Sequence, residues 1–495
     1  MAEAEGQMVA AGRDKIYVGG RWAAPAPHEH IDLVDPSTEQ VFTRAPLGGA
    51  DAVDEAVRAA RAAFDSGPWP RMSRAERMDV LLSLATYLEE HAAEYGEQLL
   101  QEIGLPRAFA VGGVLGAAGH ARYLESVYQD YPWTEHRQGV TGVNTLLVRA
   151  AIGVVAAIVP WNAPFSLAGS KLVPALLAGC TMVLKASPLN ALSLLAFGDA
   201  AEHAGLPQGV LSVFAADTKA SERLVRHPGV DKIAFTGSDV TGAAIAAAAA
   251  PLFKRVTLEL GGKSAGIVLP DTSLDRLRVA VPPAFTLNNG QACAAMTRLL
   301  VPRDRAKEIT TAVAEEVGRL VVGDPRDAGT DIGPLAGKAQ YERVLGFIAS
   351  ARDEGGRVVF GGERPDGITT GYYVQPTIVD GVKPDARIAQ EEVFGPVLTV
   401  LPYDDLDEAV AIANGTRYGL SAAVFGEDTD QLNAVGKRLR SGSVHFNNGF
   451  TVDIGIPFGG FKASGVGREF GPEGIDPYVE SKAVFLDGKP YVARP

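Results

Sequence analysis

Short apolar runs alternate with helical segments through the middle of the chain, and this alternation limits the fold more than any other feature of the sequence. Strand-like runs are predicted at residues 152–159, 181–184, 211–215, 232–235 and 255–258. Helices are predicted between them, at residues 167–177, 191–204, 221–226 and 240–250. Strands and helices in this order favour right-handed crossovers and a parallel sheet covered on both faces.

A second alternating region follows the glycine pair Gly261 and Gly262. Its predicted elements are a helix at 305–320, a strand at 357–360, a helix at 406–414, a strand at 421–425 and a helix at 431–439. The chain has 495 residues, and a single hydrophobic core stops growing at roughly 250–300 residues. We therefore predict an α/β protein with two doubly wound, mostly parallel-sheet lobes that meet near Leu260.

Further segments lie outside this alternation. Residues 73–103 have apolar side chains at helical spacing, which predicts one long amphipathic helix that begins with a capping box of Ser73 and Glu76 and ends at Gly104. Residues 141–148 and 482–485 form two short extended stretches that fit neither lobe. Such strands need a partner edge, so one hypothesis is that they pair with a neighbouring subunit.

Charge and cysteine content exclude several classes of protein. The net charge of −13, with no local basic stripe, disfavours nucleic-acid and anionic membrane partners. The most apolar window, residues 151–168, is interrupted by two prolines and an asparagine, so we expect no membrane span. Two cysteines suggest a reducing compartment, and the acidic start of the chain does not resemble a secretory signal. We expect a cytoplasmic protein.

Cys293 is the first candidate for chemistry. A buried cysteine is most often a small hydrophobic side chain. The small neighbours Gly290, Ala292 and Ala294, however, leave the sulfur accessible, which favours a reactive thiol. Cys180 lies between a glycine and a predicted strand, and we assign it to packing.

Two further residues lie where predicted strands end. Glu259 follows an apolar strand, and burial in a cleft there raises the pKa of a carboxyl toward that of a useful base, although a solvated strand end is the ordinary alternative. Asn162 follows the strand at 152–159, where its amide can donate to a developing oxyanion or simply form a turn. We find no spacing typical of metal ligands and assign none.

The segment Phe235–Gly242 runs from a strand through a glycine turn into a helix. Gly237 and Gly242 at the start of that helix suit a diphosphate, because free N–H groups and the helix dipole point at the anion. The pattern is not the G-x-G-x-x-G fingerprint of dinucleotide-binding proteins. By itself this segment is a weak signal.

Taken together, these segments resemble the NAD(P)-dependent aldehyde dehydrogenase superfamily over nearly the whole chain. Further matching positions are Lys185 with Ser187, residues 391–396, Asn447, residues 457–462 and residues 464–469. The resemblance implies that Cys293 attacks the aldehyde and that Asn162 holds the oxyanion. It also implies that Glu259 activates the water that releases the carboxylic acid.

The resemblance also implies a coenzyme site and a domain plan. The coenzyme residues it assigns are Trp161, Lys185, Ser187, Gly237, Ser238, Gly242, Glu392 and Phe394. Pro188 stands where NAD-preferring members often carry a glutamate, so we favour NAD and keep NADP open. The implied domains are a Rossmann-like dinucleotide-binding domain of residues 1–125 and 151–258, a catalytic domain of residues 259–470, and a small β oligomerisation arm of residues 126–150 and 471–495.

The expected partners are a small-molecule aldehyde and further copies of the chain, in a homodimer or homotetramer. Small residues at Ala163 and Ser170, where several relatives carry bulky aromatics, predict a roomy apolar mouth for medium or large aliphatic, terpenoid or aromatic aldehydes.

Two other functions stay open. A cysteine-dependent hydrolase or acyltransferase would also use Cys293, but none of the eight histidines forms a recognisable motif with it. A non-catalytic dinucleotide-binding protein could keep the fold, yet it has no need of Cys293, Glu259 and Asn162 together.

Overall fold

Two mostly parallel β-sheets, each covered by helices on both faces, form the body of the protein. The computed structural model describes residues 13–26 and 29–486. The outer ends of the predicted segments 1–125 and 471–495, together with His28, lie outside the described residues. The α/β class with two doubly wound lobes is confirmed, and the domain limits stay a prediction.

The strands follow in chain order. They are β1 (Ile16–Val18), β2 (Arg21–Ala23), β3 (His30–Asp35), β4 (Gln40–Pro46), β5 (Thr134–Gln138), β6 (Asn144–Ala151), β7 (Val154–Ile158), β8 (Thr181–Ala186), β9 (Leu211–Ala215), β10 (Lys232–Thr236), β11 (Arg255–Glu259), β12 (Ser264–Val268), β13 (Met296–Pro302), β14 (Arg357–Phe360), β15 (Thr377–Asp380), β16 (Val397–Tyr403), β17 (Ser421–Phe425), β18 (Ser443–Phe446), β19 (Gly465–Val466) and β20 (Val479–Phe485).

The α-helices are α1 (Ala50–Ser66), α2 (Arg74–Glu90), α3 (Ala92–Ile103), α4 (Arg107–Val127), α5 (Pro164–Ala178), α6 (Ala196–His203), α7 (Thr218–Arg226), α8 (Asp239–Ala249), α9 (Leu274–Thr286), α10 (Ala306–Val317), α11 (Lys338–Asp353), α12 (Arg387–Gln390), α13 (Leu406–Asn414) and α14 (Thr429–Gly436).

The first sheet has the strand order β19-β11-β10-β7-β8-β9-β1-β2. Its five central strands are parallel, and antiparallel strands close both edges. The parallel strands are buried on both faces, which explains their continuous apolar runs. One core contains residues of α2 to α6, and a second core contains residues of α1, α7 and α8.

The second sheet has the order β14-β15-β16-β13-β12-β17-β18 and is parallel except for the pair β14 and β15. Helices α11 to α14 contribute to the core on one face, and α9 and α10 contribute to the core on the other. Because crossovers cover both faces, the carboxyl ends of the parallel strands are the places left open for ligands.

The helix predicted at residues 73–103 is two helices. The capping box is confirmed, since Ser73 Oγ accepts from Glu76 N and the Glu76 side chain accepts from Ser73 N. Gly104 ends α3 in the left-handed conformation, with φ 72°. His91 separates α2 from α3, because its backbone leaves the helical region at φ −107° and ψ 14°. The helix predicted at 191–204 likewise begins as 3₁₀ turns and becomes α-helical at Ala196.

The two extended stretches pair with each other within one chain. A third sheet has the order β20-β6-β5, in which β6 has a partner on both sides. The hypothesis of intermolecular pairing is therefore wrong for residues 141–148. Within residues 13–26 and 29–486, β20 has no strand partner on its other side.

Within residues 13–26 and 29–486, we find no helix with the length and apolar character that crossing a bilayer requires.

Candidate active site

A cavity of about 510 Å³ opens at the carboxyl ends of β7, β10 and β11, between the two sheets. The residues that line it are Pro160, Trp161, Asn162, Leu167, Thr236, Gly237, Ser238, Asp239, Val240, Glu259, Leu260, Gly261, Cys293, Gln340, Arg343, Glu391, Glu392, Phe394, Arg417 and Tyr418. Cys293, Glu259 and Asn162, which are far apart in the sequence, thus share one cavity.

Cys293 lies in the tight loop between α9 and β13, and its side chain is partly exposed. The loop leaves little room for larger residues. A Cβ atom at Gly262 would lie 2.5 Å from the Cys293 carbonyl oxygen, and one at Gly290 would overlap the backbone at Pro396. Small residues therefore allow the loop that contains Cys293 to lie close to the start of β12.

The environment of Cys293 favours the neutral thiol. Burial raises the pKa of the thiol to about 12, with added contributions from the charges of Glu392 and Glu259. The backbone N–H groups of Ala294 and Cys293 act in the opposite direction. Any reaction through the thiolate therefore requires a base to take the proton.

Glu259 is the last residue of β11, and its carboxyl group is buried. Neither carboxyl oxygen has a hydrogen-bond partner in the described part of the chain. Burial raises the pKa of Glu259 well above its ordinary value, and the charge of Glu469 raises it further. Lys171 and Arg468 oppose this shift. A buried carboxyl with a raised pKa is suited to accept a proton near neutral pH.

A buried ion pair that the sequence analysis missed lies beside Glu259. Lys171 Nζ is 2.7 Å from Glu469 Oε1 and donates to Thr236 Oγ1 at 2.7 Å. Ser170 Oγ donates to Glu469 Oε2 at 3.0 Å. The signal for this pair was a lysine inside the apolar run of α5, since a fully buried lysine needs a partner of opposite charge.

Asn162 is held in place by its side chain. Its Nδ2 donates to the main-chain oxygen of Gln291 at 2.9 Å, and Gln291 lies in the same loop as Cys293. An amide nitrogen carries two hydrogens, so a second N–H remains for a ligand in the cavity. The side chain of Asn162 is 7% exposed, which means that the donor is largely shielded from competing water.

The start of α8 forms the wall that suits a dinucleotide. Gly237 and Ser238 line the cavity, and Ser238 Oγ caps the helix by accepting from Thr241 N. A Cβ atom at Gly242 would overlap Leu260, so the first turn of α8 lies close to the strand end. Free N–H groups at a helix start favour an anion such as a diphosphate. The residues present therefore fit a dinucleotide.

The opposite wall consists of residues 391–394. Trp161 and Phe394 meet edge to face, with ring centroids 5.5 Å apart. Phe394 has a φ of 62°, which is rare for a bulky residue. Gln340 stabilises it by donating to the Phe394 carbonyl at 2.6 Å. Glu392 Oε1 accepts from Gly262 N at 3.1 Å, and burial raises the pKa of Glu392 to about 7.

Three predicted coenzyme residues lie outside the lining of this cavity: Lys185, Ser187 and Gly242. Lys185 lies at the end of β8, where burial lowers its pKa to about 8 against the opposing charge of Asp217. Ser187 Oγ accepts from Leu189 N at 3.2 Å and caps a 3₁₀ turn.

Other polar residues of the lining were not predicted from the sequence. Arg343 Nη2 donates to the main-chain carbonyl oxygen of Glu392 at 2.5 Å. Arg417 Nη2 lies 3.1 Å from Asp239 Oδ2. No short motif marks these residues, because they reach the cavity from separate elements.

None of the histidines in the described part of the chain lines this cavity. Among residues 13–26 and 29–486, no group of three histidine, cysteine or acidic side chains is placed to hold a metal ion.

Known proteins resemble this chain over almost its full length. A family model described as the aldehyde dehydrogenase family matches residues 22–484. Geranial dehydrogenase from Castellaniella defragrans is 40% identical over 476 residues, which cover 96% of this chain and 98% of that protein.

Solved structures agree with this match. Mycobacterium tuberculosis aldehyde dehydrogenase complexed with NAD+ has a TM-score of 0.94 at 40% identity, covering 98% of this chain and 100% of that chain. A mutant of aldehyde dehydrogenase C from Pseudomonas syringae, complexed with NAD+ and octanal, has a TM-score of 0.91 at 41% identity, covering 95% of this chain and 96% of that one. The chain belongs to the aldehyde dehydrogenase family.

Proposed function

We propose that the protein oxidises an aldehyde to a carboxylic acid with NAD+, through covalent intermediates on Cys293. The observation that carries this proposal is the convergence of Cys293, Glu259 and Asn162 on one cavity beside the start of α8. Family membership supports the reaction class. The roles of the individual residues follow from their chemistry.

In the first half of the reaction, the Cys293 sulfur attacks the aldehyde carbon and forms a tetrahedral thiohemiacetal. The thiol holds its proton because burial raises the pKa of Cys293 to about 12. Of the acidic residues that line the cavity, we assign Glu259 to take that proton, because neither of its carboxyl oxygens has a hydrogen-bond partner in the described part of the chain. The Asn162 amide and the Cys293 main-chain N–H stabilise the oxyanion.

In the second half, the thiohemiacetal becomes a thioester on Cys293. Glu259, which has by then released the thiol proton to solvent, takes a proton from the water that attacks the thioester. The chemistry that bound NAD+ supplies is the acceptance of a hydride from the tetrahedral carbon. Breakage of the carbon–sulfur bond then frees the carboxylic acid and the thiol. In sum, one aldehyde, one water and one NAD+ give one acid, one NADH and one proton.

For the coenzyme, we propose that Trp161, Gly237, Ser238, Glu392 and Phe394 hold the dinucleotide in the cavity. Lys185, Ser187 and Gly242 are proposed to act from just outside its lining. The NAD+ complexes of two similar structures support NAD+. Pro188 offers no carboxylate against a 2′-phosphate, so NADP+ should also be used, and comparison of kcat/KM for the two coenzymes tests this.

For the substrate, we propose a medium or large apolar aldehyde. One similar protein is named geranial dehydrogenase, and the structure of another contains octanal. Ala163 follows Asn162 in the chain and places only a small side chain beside the Asn162 amide. Ser170 is 2% exposed and bonded to Glu469, so it does not itself widen the mouth. Better turnover of acetaldehyde than of octanal would contradict this substrate class.

We propose a homodimer or homotetramer in the cytoplasm. The free edge of β20 supports assembly, because an unpaired strand edge is a template for another chain. The location rests on the low cysteine content and stays a prediction.

The test is a mixture of protein, octanal and NAD+, in which reduced nicotinamide is followed by its absorbance. We expect Cys293→Ala to abolish the signal, while Cys180→Ala keeps it because Cys180 is buried and donates to the Tyr478 carbonyl. Ester hydrolysis without reduced nicotinamide would support a hydrolase. Coenzyme binding without turnover would support a non-catalytic protein.

A further inference from the structure

Asn288 joins the loop of Asn162 to the loop of Cys293. Its Nδ2 donates to the main-chain oxygen of Asn162 at 2.7 Å and to that of Gln291 at 3.1 Å. Asn288 does not line the catalytic cavity, and the mechanism above gives it no part. Its contacts nevertheless connect two elements whose alignment the first half of the reaction requires.

One acceptor receives hydrogen bonds from both asparagines. The Gln291 carbonyl oxygen accepts from Asn288 Nδ2 and also from Asn162 Nδ2, the latter at 2.9 Å. Asn288 therefore holds the backbone of Asn162 and also the carbonyl group to which the Asn162 amide is bonded. One hydrogen of the Asn162 amide points at the Gln291 carbonyl oxygen. Because an amide group is planar, this also fixes the direction of its second hydrogen.

The backbone at this position is unusual. Asn288 and Asn289 both lie in the left-handed region, with φ 57° and ψ values of 44° and 28°. Left-handed backbone in non-glycine residues is sparsely populated and persists where the surroundings impose it.

The two neighbouring asparagines hold different parts of the structure. Asn289 donates to the carbonyls of Gly104 and Pro334, at 3.0 and 2.9 Å, and accepts from Gly333 N at 2.8 Å. It therefore anchors the loop to the surrounding fold. Asn288 makes its contacts with Asn162 and Gln291 instead.

We propose that Asn288 is a positioning residue for the oxyanion: it sets the direction in which the Asn162 amide donates. The inference rests on the proposed function, because it assumes that Asn162 stabilises the oxyanion. Asn288 itself touches neither the substrate nor the reacting sulfur in this scheme.

The test is a double-mutant cycle of Asn288→Gly and Asn162→Ala, read as the rate of the first burst of reduced nicotinamide. Glycine keeps the left-handed backbone and removes the amide. We expect Asn162→Ala to slow the burst by about 10²–10³-fold, as for other oxyanion donors. Asn288→Gly alone should slow it by up to about 10²-fold, the effect of a misplaced catalytic group. In the Asn162→Ala background, adding Asn288→Gly should change the burst rate by less than about twofold.

Asn289→Gly is the matched control, because it removes an amide from the adjacent left-handed residue without contact to Asn162. Its effect should be the same factor in both backgrounds. The dissociation constant for NADH, measured by fluorescence, should stay unchanged in Asn288→Gly, because a merely loosened fold would weaken coenzyme binding too. Should Asn288→Gly fail to fold, Asn288→Asp keeps the shape and removes the donor.

Two outcomes overturn the inference and can be told apart. An equal loss from Asn288→Gly in both Asn162 backgrounds rejects the positioning role alone. Full burst rate in Asn162→Ala rejects both the positioning role and the oxyanion role on which it rests.

Discussion

At the scale of single residues, the proposed chemistry depends on a carboxyl group that the fold keeps away from water. Glu259 has no hydrogen-bond partner in the described part of the chain and has a raised pKa. The proposed reaction needs the charged form of Glu259 for the release of the acid, yet burial disfavours that charge. Activity and stability should therefore respond to pH in opposite ways.

Glu259→Gln should lower steady-state turnover by about 10²–10⁴-fold, the usual contribution of a general base. Because Glu259 also takes the thiol proton in the proposed first half of the reaction, the burst of reduced nicotinamide should be slowed as well. Rapid mixing followed by absorbance checks this result. A mutant that keeps normal turnover would contradict the role of Glu259 as the base.

The stability of the same mutant should differ from the wild type only at higher pH. The folded pKa of Glu259 is raised, so its contribution to stability is present below the ordinary value of 4.5 and is lost as pH rises through the folded pKa. Glu259→Gln should thus raise Tm relative to the wild type increasingly toward alkaline pH. Glu222→Gln, on the exposed part of α7, is the control, and a pH-independent difference for Glu259→Gln would refute the argument.

Mutation of the two residues of the neighbouring ion pair should shift the acidic limb of the pH–rate profile in opposite directions. Glu469→Gln removes a charge that raises the pKa of Glu259, so the acidic limb should move to lower pH. Lys171→Met removes an opposing charge, so the limb should move to higher pH. The measurement is turnover against pH with hydrolysis rate-limiting. Shifts of the same sign would contradict this electrostatic account.

The resemblance to a known family supplied Glu392 and Phe394. Asn162, Gly237 and Glu259 could be proposed from the residues alone because they stand at strand ends, where ligands collect in α/β sheets. Lys171 and Asn288 could not. The partner of Lys171 lies almost three hundred residues away, and Asn288 acts through main-chain atoms that have no sequence signal.

At the scale of elements, prediction succeeded where burial leaves a simple pattern. The central strands of the first sheet are continuous apolar runs and were located to within a few residues. Helix α4 was missed because Gly112, Gly113, Gly116 and Gly119 lower its intrinsic propensity. It is a helix through packing against α2, α3 and α5. The break at His91 was missed because the apolar spacing continues across it.

The capping box of α2 gives a local prediction. Ser73→Ala should weaken the start of the helix by about 1 kcal/mol, so amide hydrogens in its first turn should exchange roughly fivefold faster. Hydrogen exchange followed by mass spectrometry checks this. Ser221→Ala in α7 is the control, because its Oγ only bonds back to the Asp217 carbonyl. Equal changes in both mutants would argue against the capping role.

At the scale of the whole molecule, the two sheets were predicted, whereas the pairing of distant strands was not. Strand β20 joins β6 across more than three hundred residues, and a sequence pattern does not name partners over that separation. The result is an arm in which β20 forms an outer edge that no other described strand of the chain covers.

If that edge joins another subunit, Phe485→Asp should shift the protein toward smaller species in light scattering. Phe485 is 72% exposed at the end of β20, and a charge there would oppose burial against a partner. Val41→Asp on β4, also exposed, is the control. An unchanged mass for Phe485→Asp, or a monomeric wild type at micromolar concentration, would contradict assembly through this edge.

The short strand β19 has a mechanical consequence. It comes from the chain that follows the second sheet, yet it pairs with Leu258 and Glu259, and Leu260 N donates to the Ser464 carbonyl at 2.9 Å. Any motion that drew the two lobes apart would have to pull on the peptide links on both sides of Glu259. The strand therefore ties the position of the proposed base to the separation of the lobes.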